Sequence, residues 1–367
     1  MKKIYALALL LPLLTACGDD DSFFQDQEIW EYASPASRNM NEGILLDLDE
    51  GIKLQNFGNL QGLLIIKDNR IVFENYYQQN SRVDLFPVGR VGSSLVTLLL
   101  GEVLNNELGN QLDTPIHELL PGYGAIFDEN PVKKEITIRH LLTMQSGLVW
   151  NESLRSVADP NNDLVRMTNS NDYIAYILNQ QIEAPPGRRF AYNSGSYYIL
   201  LKIMAELLDQ PINEYFEERL FEPLQIDNYL LGTTPSGLPD YVLGLSMNTL
   251  DLAKIGYFTL KKGEWQSRRL VDDRWVDQLL SIQKEISNQN NFGFGWWNFA
   301  EESLVATTYG LNDVFYLFGE ESQGIYLSES QDLLVVVSNG LDPVRSFGNS
   351  SFWAFIRVLD SLQPDNL

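Results

Sequence analysis

Two hydroxyl side chains, Ser93 and Ser94, head an apolar run within residues 85–101 (LFPVGRVGSSLVTLLLG), and Arg90 precedes Ser93 by three residues. A serine acts as a nucleophile when a base within hydrogen-bond reach takes its proton. Residue 97, one turn after Ser94, is Thr97, and no lysine occurs between Lys67 and Lys133. Arg90 cannot itself attack, because its guanidinium stays protonated and has no usable lone pair. Farther along, Tyr192-Asn193-Ser194 offers a phenol, and Tyr192 is the one group left to activate Ser93. Other schemes find fewer parts. The chain has two histidines, His117 and His140, and no G-x-S-x-G elbow, which argues against a Ser-His-Asp hydrolase. Two distant histidines and one cysteine are too few for zinc, and no Gly-rich phosphate loop occurs, so neither metal nor cofactor is expected. Trp150, Trp296 and Trp297 are candidates to line a ligand pocket, with core or rim packing expected for at least one.

These residues need a scaffold. Residues 63–66 (LLII), a KDNR tip and residues 71–73 (IVF) read as a β-hairpin. A helix is expected over 90–108, apolar nearly all round and therefore buried on most faces. Residues from about 110 to 260 read as mainly helical, most clearly over 171–180, 195–208 and 249–261. Short apolar runs at 304–308, 314–318, 323–327 and 333–337 read as consecutive antiparallel strands, and 351–362 as a closing helix. The expected architecture is α+β: an antiparallel sheet built from both chain ends, flanked by helices, with a mainly helical subdomain.

A chain of 367 residues can bury a substantial core, and 44% apolar with 20% charged residues is ordinary for a globular protein. The formal net charge of −23 is not ordinary, and it disfavours nucleic acid as a partner. Lys2 and Lys3 followed by an apolar run over 4–14 read as a signal segment too short to span a bilayer. It ends in Leu14-Thr15-Ala16-Cys17, which resembles the lipobox of bacterial lipoproteins, so lipidation is expected at Cys17, the sole cysteine. The expected organisation is therefore a signal over 1–16, an acidic tether over 17–40 and a single large domain over 41–364. Phe23, Phe24 and Trp30 are free in this reading either to sit in the tether or to pack on the domain.

Several segments carry a family resemblance. Residues 136–148 (ITIRHLLTMQSGL) are close to TIRHLLTMTSGL; 244–247 (GLSM) with 251–254 (DLAK) resemble GLSMTPRDLAK; 292–297 (FGFGWW) resemble YGYGWW. Together with residues 85–101 and covering roughly 62–357, they make the chain similar to the superfamily of serine β-lactamases, penicillin-binding proteins and class C β-lactamase-like esterases. The resemblance implies the β-lactamase-like fold, acyl-transfer chemistry and a Ser-x-x-Lys pair at the head of an apolar helix ending in Gly. Counting back from Gly101 puts Arg90 where the serine stands and Ser93 where the lysine stands. Tyr192, in the context Phe190-Ala191-Tyr192-Asn193-Ser194, matches the family's tyrosine motif, and His140 falls in a structural helix. The third motif, basic or neutral in the family, aligns with Glu320-Glu321-Ser322.

The leading expectation is thus a cell-envelope lipoprotein with a degenerate site formed by Arg90, Ser93, Tyr192, Ser194, Glu320, Glu321 and Ser322. An ion pair of Arg90 with Glu320 or Glu321 is expected to close it, relieving a cation held at a helix N-terminus. Such a protein would be a pseudoenzyme that binds a small acyl, peptide or carboxylate ligand, or a protein partner, at the periplasmic side of a membrane; Gly18 after the cysteine mildly favours the outer one. The alternative is a working serine hydrolase of esters, amides or peptides that uses Ser93 or another hydroxyl with Tyr192.

Overall fold

The structure is a computed structural model that describes residues 29–108, 111–153, 155, 158–319, 323–340 and 350–362. Cys17, Gly18, Phe23, Phe24 and Glu320-Glu321-Ser322 lie outside the described residues. An eight-stranded antiparallel sheet organises the domain. Its strands in chain order are β1 (Leu60–Lys67), β2 (Arg70–Tyr76), β3 (Lys284–Glu285), β4 (Asn290–Phe292), β5 (Trp297–Phe299), β6 (Val314–Phe318), β7 (Gly324–Ser328) and β8 (Leu333–Asn339). Across the sheet they run β2-β1-β8-β7-β6-β5-β4-β3, so the N-terminal hairpin pairs with the last strand, as the α+β expectation required.

Both faces of the sheet are covered, which explains why residues 63–66 are apolar without alternation. Leu64 and Ile66 face one core, shared with the helical region; Leu63 and Ile65 face a second. The second core is closed by α1 (Glu42–Lys53) and by the C-terminal helix, here α7 (Ser350–Leu362). On the first side lie α2 (Ser93–Leu108), α3 (Gly195–Leu207), α4 (Thr249–Leu260) and α5 (Asp273–Leu279). Gly256 lets α4 press on the sheet: a Cβ there would stand 2.7 Å from Leu334 and 3.0 Å from Ile325.

Three expectations are corrected. Residues 304–308 are not a strand but part of α6 (Leu304–Tyr309). Ser303 Oγ accepts the backbone N–H of Ala306 as an N-cap, and Gly310 ends the helix in the left-handed region at φ 70°, so the caps outweigh the strand-like Leu-Val-Ala-Thr-Thr run. The helix expected over 90–108 is divided into a 3₁₀ turn, Gly89–Gly92, and α2. The tether expected over 17–40 ends earlier, since Trp30 is buried against Tyr257 and Trp265 and Tyr32 bridges to Ile71. Burying that indole removes one of the largest apolar surfaces from water, so the packed domain includes residues 29–40.

Candidate functional site

The first motif sits at the junction of the 3₁₀ turn and α2. Gly89 takes φ 52°, which favours glycine, and a Cβ at Gly92 would fall 2.1 Å from the Tyr241 carbonyl oxygen, so the backbone on either side of Arg90 is tightly placed. The apolar run ends in glycine for a steric reason as well. A Cβ at Gly101 would lie 2.2 Å from the Trp275 ring, whose indole N–H donates to the Thr97 carbonyl at 2.9 Å.

Among the described residues, Glu152 is a carboxylate partner of Arg90, while the expected partners Glu320 and Glu321 lie outside them. Arg90 Nη2 lies 3.2 Å from Glu152 Oε1, with the two side chains 10% and 0% exposed. The guanidinium also rests over the Tyr192 ring, 5.4 Å from its centroid, within the range of a cation–π contact. Glu152 accepts three more hydrogen bonds: from Trp150 Nε1 at 2.5 Å, from the Ser194 backbone N–H at 2.9 Å and from Ser194 Oγ at 2.7 Å. One buried carboxylate therefore ties the arginine to the last residue of the tyrosine motif. A buried charge needs this kind of satisfaction, because desolvation is otherwise very costly.

The remaining hydroxyls are turned inward. Ser93 Oγ donates to the Arg90 carbonyl at 2.7 Å and Ser94 Oγ to the Val91 carbonyl at 2.8 Å, and both residues are buried. Such back-bonding to a preceding carbonyl satisfies the hydroxyl within its own turn. Tyr197 is fully buried near Ser93 and Tyr192, and its hydroxyl makes no well-aligned hydrogen bond among the described residues. Burial pushes the Tyr192 hydroxyl up to about 12, with Arg90 opposing the rise and Glu152 adding to it. A phenol titrating there is phenolate in only about one molecule in 10⁵ at pH 7, a poor resting base. Tyr192 stacks on Trp297 at 5.8 Å and meets Phe292 edge-on at 6.2 Å.

The structure brings Arg90, Ser93, Tyr192 and Ser194 into one cluster, in which Tyr192 is half-buried and the other three are buried. The flanks of the third motif approach it: the Gly319 N–H donates to the Gln323 carbonyl at 2.9 Å, and a Cβ at Gly89 would lie 4.0 Å from Gly319 Cα. Glu320-Glu321-Ser322 between them is outside the described residues. Arg90 itself is in the turn before α2 rather than in the first turn of that helix, so the helix dipole is not what its carboxylate answers.

Glu152 is the site residue that sequence reasoning missed. It follows Trp150, which had been noticed as an aromatic, but nothing local marks an acidic residue that bonds to partners 42 and 62 positions away. Trp296 is fully buried core, whereas Trp297 lies beside Tyr192. The histidines are structural. His140 Nδ1 accepts the Thr137 N–H while Thr137 caps His140, and His117 lies near Phe127. Among the described residues no group of three or more His, Cys, Asp and Glu side chains is gathered as a metal site requires.

Solved structures share this architecture at low identity. A Bacillus anthracis protein ascribed to the 6-aminohexanoate-dimer hydrolases is 16% identical at a TM-score of 0.69, covering 85% of this chain and 81% of that one. EstCE1, a hydrolase with promiscuous acyltransferase activity, is 16% identical at 0.67, with 87% and 98% covered. The octameric penicillin-binding protein homologue from Pyrococcus abyssi is 17% identical at 0.66, with 86% and 78% covered. No curated protein matches the chain. The Beta-lactamase family matches residues 56–348, which is most of the sequence, and the sheet, the helices and the order of the motifs agree with it: the chain belongs to the Beta-lactamase family.

Proposed function

We propose that this member of the family is a lipid-anchored pseudoenzyme of the bacterial cell envelope that binds a ligand or a protein partner without hydrolysing it. One observation carries the reading. At the nucleophile's position stands Arg90, held by the buried Glu152, while Ser93 and Ser94 spend their hydroxyls on helix carbonyls. No charged base lies one turn from either serine, and acyl transfer needs a nucleophile–base pair. Because Glu152 already engages Arg90, the arginine is poorly placed to capture a free carboxylate, so an uncharged acyl or peptide ligand fits the cluster better. The anchor rests on the lipobox-like run before Cys17, where the diacyl and N-acyl chains together would give stable attachment that a single chain does not. Loss of residues 1–16 removes Lys2 and Lys3, taking the net charge from −23 to −25 (−23 minus 2).

A second reading, an active hydrolase, is favoured by the row Ser93, Tyr197 and Tyr192, in which a hydroxyl and two phenols adjoin. Intact-protein mass after treatment with a fluorophosphonate, and separately with a penicillin, decides between them. The natural protein is expected to gain no adduct, while an Arg90→Ser/Ser93→Lys double substitution tests whether the scaffold still supports acylation. A stoichiometric adduct on the natural protein would overturn the pseudoenzyme reading, and the labelled peptide would name the nucleophile. Incorporation of labelled palmitate that Cys17→Ala abolishes tests the anchor.

A further inference from the structure

A second concavity lies on the sheet face that turns toward α7. Trp297, Tyr316 and Tyr326 are direct cross-strand partners on β5, β6 and β7 and so stand in one row. Phe299 and Phe318, two residues along their strands, share that face. The rings lie nearly parallel: Phe299 on Tyr316 at 4.3 Å and 20°, Tyr316 on Tyr326 at 5.8 Å and 18°. Helix α7 lies over part of this face, with Phe355 on Tyr326 at 4.3 Å and Phe352 reaching Phe299 at 5.8 Å. Between this cover and α6 remains a cleft of about 280 Å³, to which Gln289, Asn290 and Ser303 supply the polar edge.

We propose that this cleft is a binding site for a small, neutral, planar compound of one or two fused rings, lying parallel to Phe299 and Tyr316. Three features select that class. The parallel rings are already stacked on one another along the cleft wall, a series that another ring can extend in the offset manner aromatic pairs prefer. The volume is close to twice the roughly 150 Å³ cavity known to admit benzene, and below the several hundred Å³ of sites for larger ligands. Among the described residues no charged side chain lines the cleft, so a cation finds no counter-charge there to offset its desolvation, while the net charge of −23 repels anions; a neutral molecule fits best. Tyr316 Oη donates to Asn290 Oδ1 at 2.7 Å, which fixes the amide at the edge where a ring substituent would meet it. The site includes neither Arg90 nor Glu152, yet it shares Trp297 with the cluster around Tyr192.

The probe is 2-naphthol, followed by saturation-transfer NMR and fluorescence titration on the full-length protein. Saturable one-site binding is expected. Leu304→Trp at the mouth, where Leu304 is 43% exposed, is expected to weaken it at least ten-fold while leaving the melting temperature unchanged. Should that variant fail to fold, Phe352→Ala, which removes a ring from the cleft wall, carries the same expectation of weaker binding. No saturable binding, or binding that every folded variant of the pair leaves unchanged, would overturn the proposal. The readout is independent of acylation, so it stands or falls separately from the pseudoenzyme reading.

Discussion

Replacing Arg90 by methionine isolates what the buried ion pair contributes. Methionine fills much of the same space, so the main loss is the cation facing Glu152, whose side chain is wholly buried. Trp150 and Ser194 keep their three hydrogen bonds to the carboxylate, but a buried charge without its counter-ion costs about 3–5 kcal/mol. That is a large part of the roughly 5–15 kcal/mol that holds an ordinary protein folded. With an unfolding entropy of about 2.1 cal/mol/K per residue over roughly 330 packed residues, the melting temperature should fall by about 4–7 °C. Glu152→Gln in the same chain removes the stranded charge and retains an amide oxygen to accept from Ser194 and Trp150. The pair Arg90→Met/Glu152→Gln should therefore recover more than half of the loss, about 2 kcal/mol, and the coupling between the two residues exceeds that recovery by whatever Glu152→Gln alone costs. Urea unfolding of the natural protein, both single variants and the pair gives the complete cycle. A cost below about 1 kcal/mol for Arg90→Met, or a coupling near zero, would refute the account of Glu152 as the residue that holds Arg90 in place.

Two further substitutions probe the scaffold. Gly101→Ala puts a methyl group 2.2 Å from the Trp275 ring, and the indole is fixed by its bond to Thr97, so a loss of about 1–3 kcal/mol or more is expected in thermal unfolding. An unchanged melting temperature would show that α2 and α5 can move apart freely. His140 accepts the Thr137 N–H as a neutral ring, and burial holds it below the ordinary imidazole value of 6.5. The unfolded chain therefore takes up the proton first as pH falls, so this residue's stabilisation is lost below 6.5 and the loss levels off once the folded ring also titrates. Urea midpoints between about pH 7 and pH 5 should fall more steeply for the natural protein than for His140→Gln, and parallel slopes would contradict the capping role.

The fold was legible because its periodic signals agree with its packing. The unalternating residues 63–66 read as a strand and proved to be a strand covered on both faces, and the runs at 314–318 and 333–337 fall on β6 and β8. Residues 304–308 failed for a local reason: a β-branched and apolar run of five is short enough for one serine cap and one glycine to decide the outcome. Trp30 stayed open for a tertiary one, since an aromatic in an acidic stretch gives no sign of whether Tyr257 and Trp265 wait for it. The site divides the same way. Arg90, Ser93 and Tyr192 could be found because they occupy motif positions; Glu152 could not, because its meaning lies only in side chains the fold brings to it.

Set against the family motif, the residues at positions 90 and 93 conserve charge. By the family resemblance, serine belongs at 90 and lysine at 93, so the motif itself carries one cation at the head of the helix. Here arginine stands at 90 and serine at 93, which keeps one cation and moves it by three residues, about one turn along the same face. A fully buried carboxylate is costly without a counter-charge, and in this chain Arg90 supplies it. A guanidinium at position 90 can neither attack a carbonyl nor give up its proton to act as a base. Charge balance and catalysis thus impose different demands on the same turn. The first can be met by any cation that reaches Glu152, the second only by a hydroxyl followed by a base. The paired substitution Arg90→Ser/Ser93→Lys, and not Arg90→Ser alone, is therefore the fair test of whether the scaffold can still be acylated: only the pair restores a nucleophile together with a base and keeps one cation in the turn.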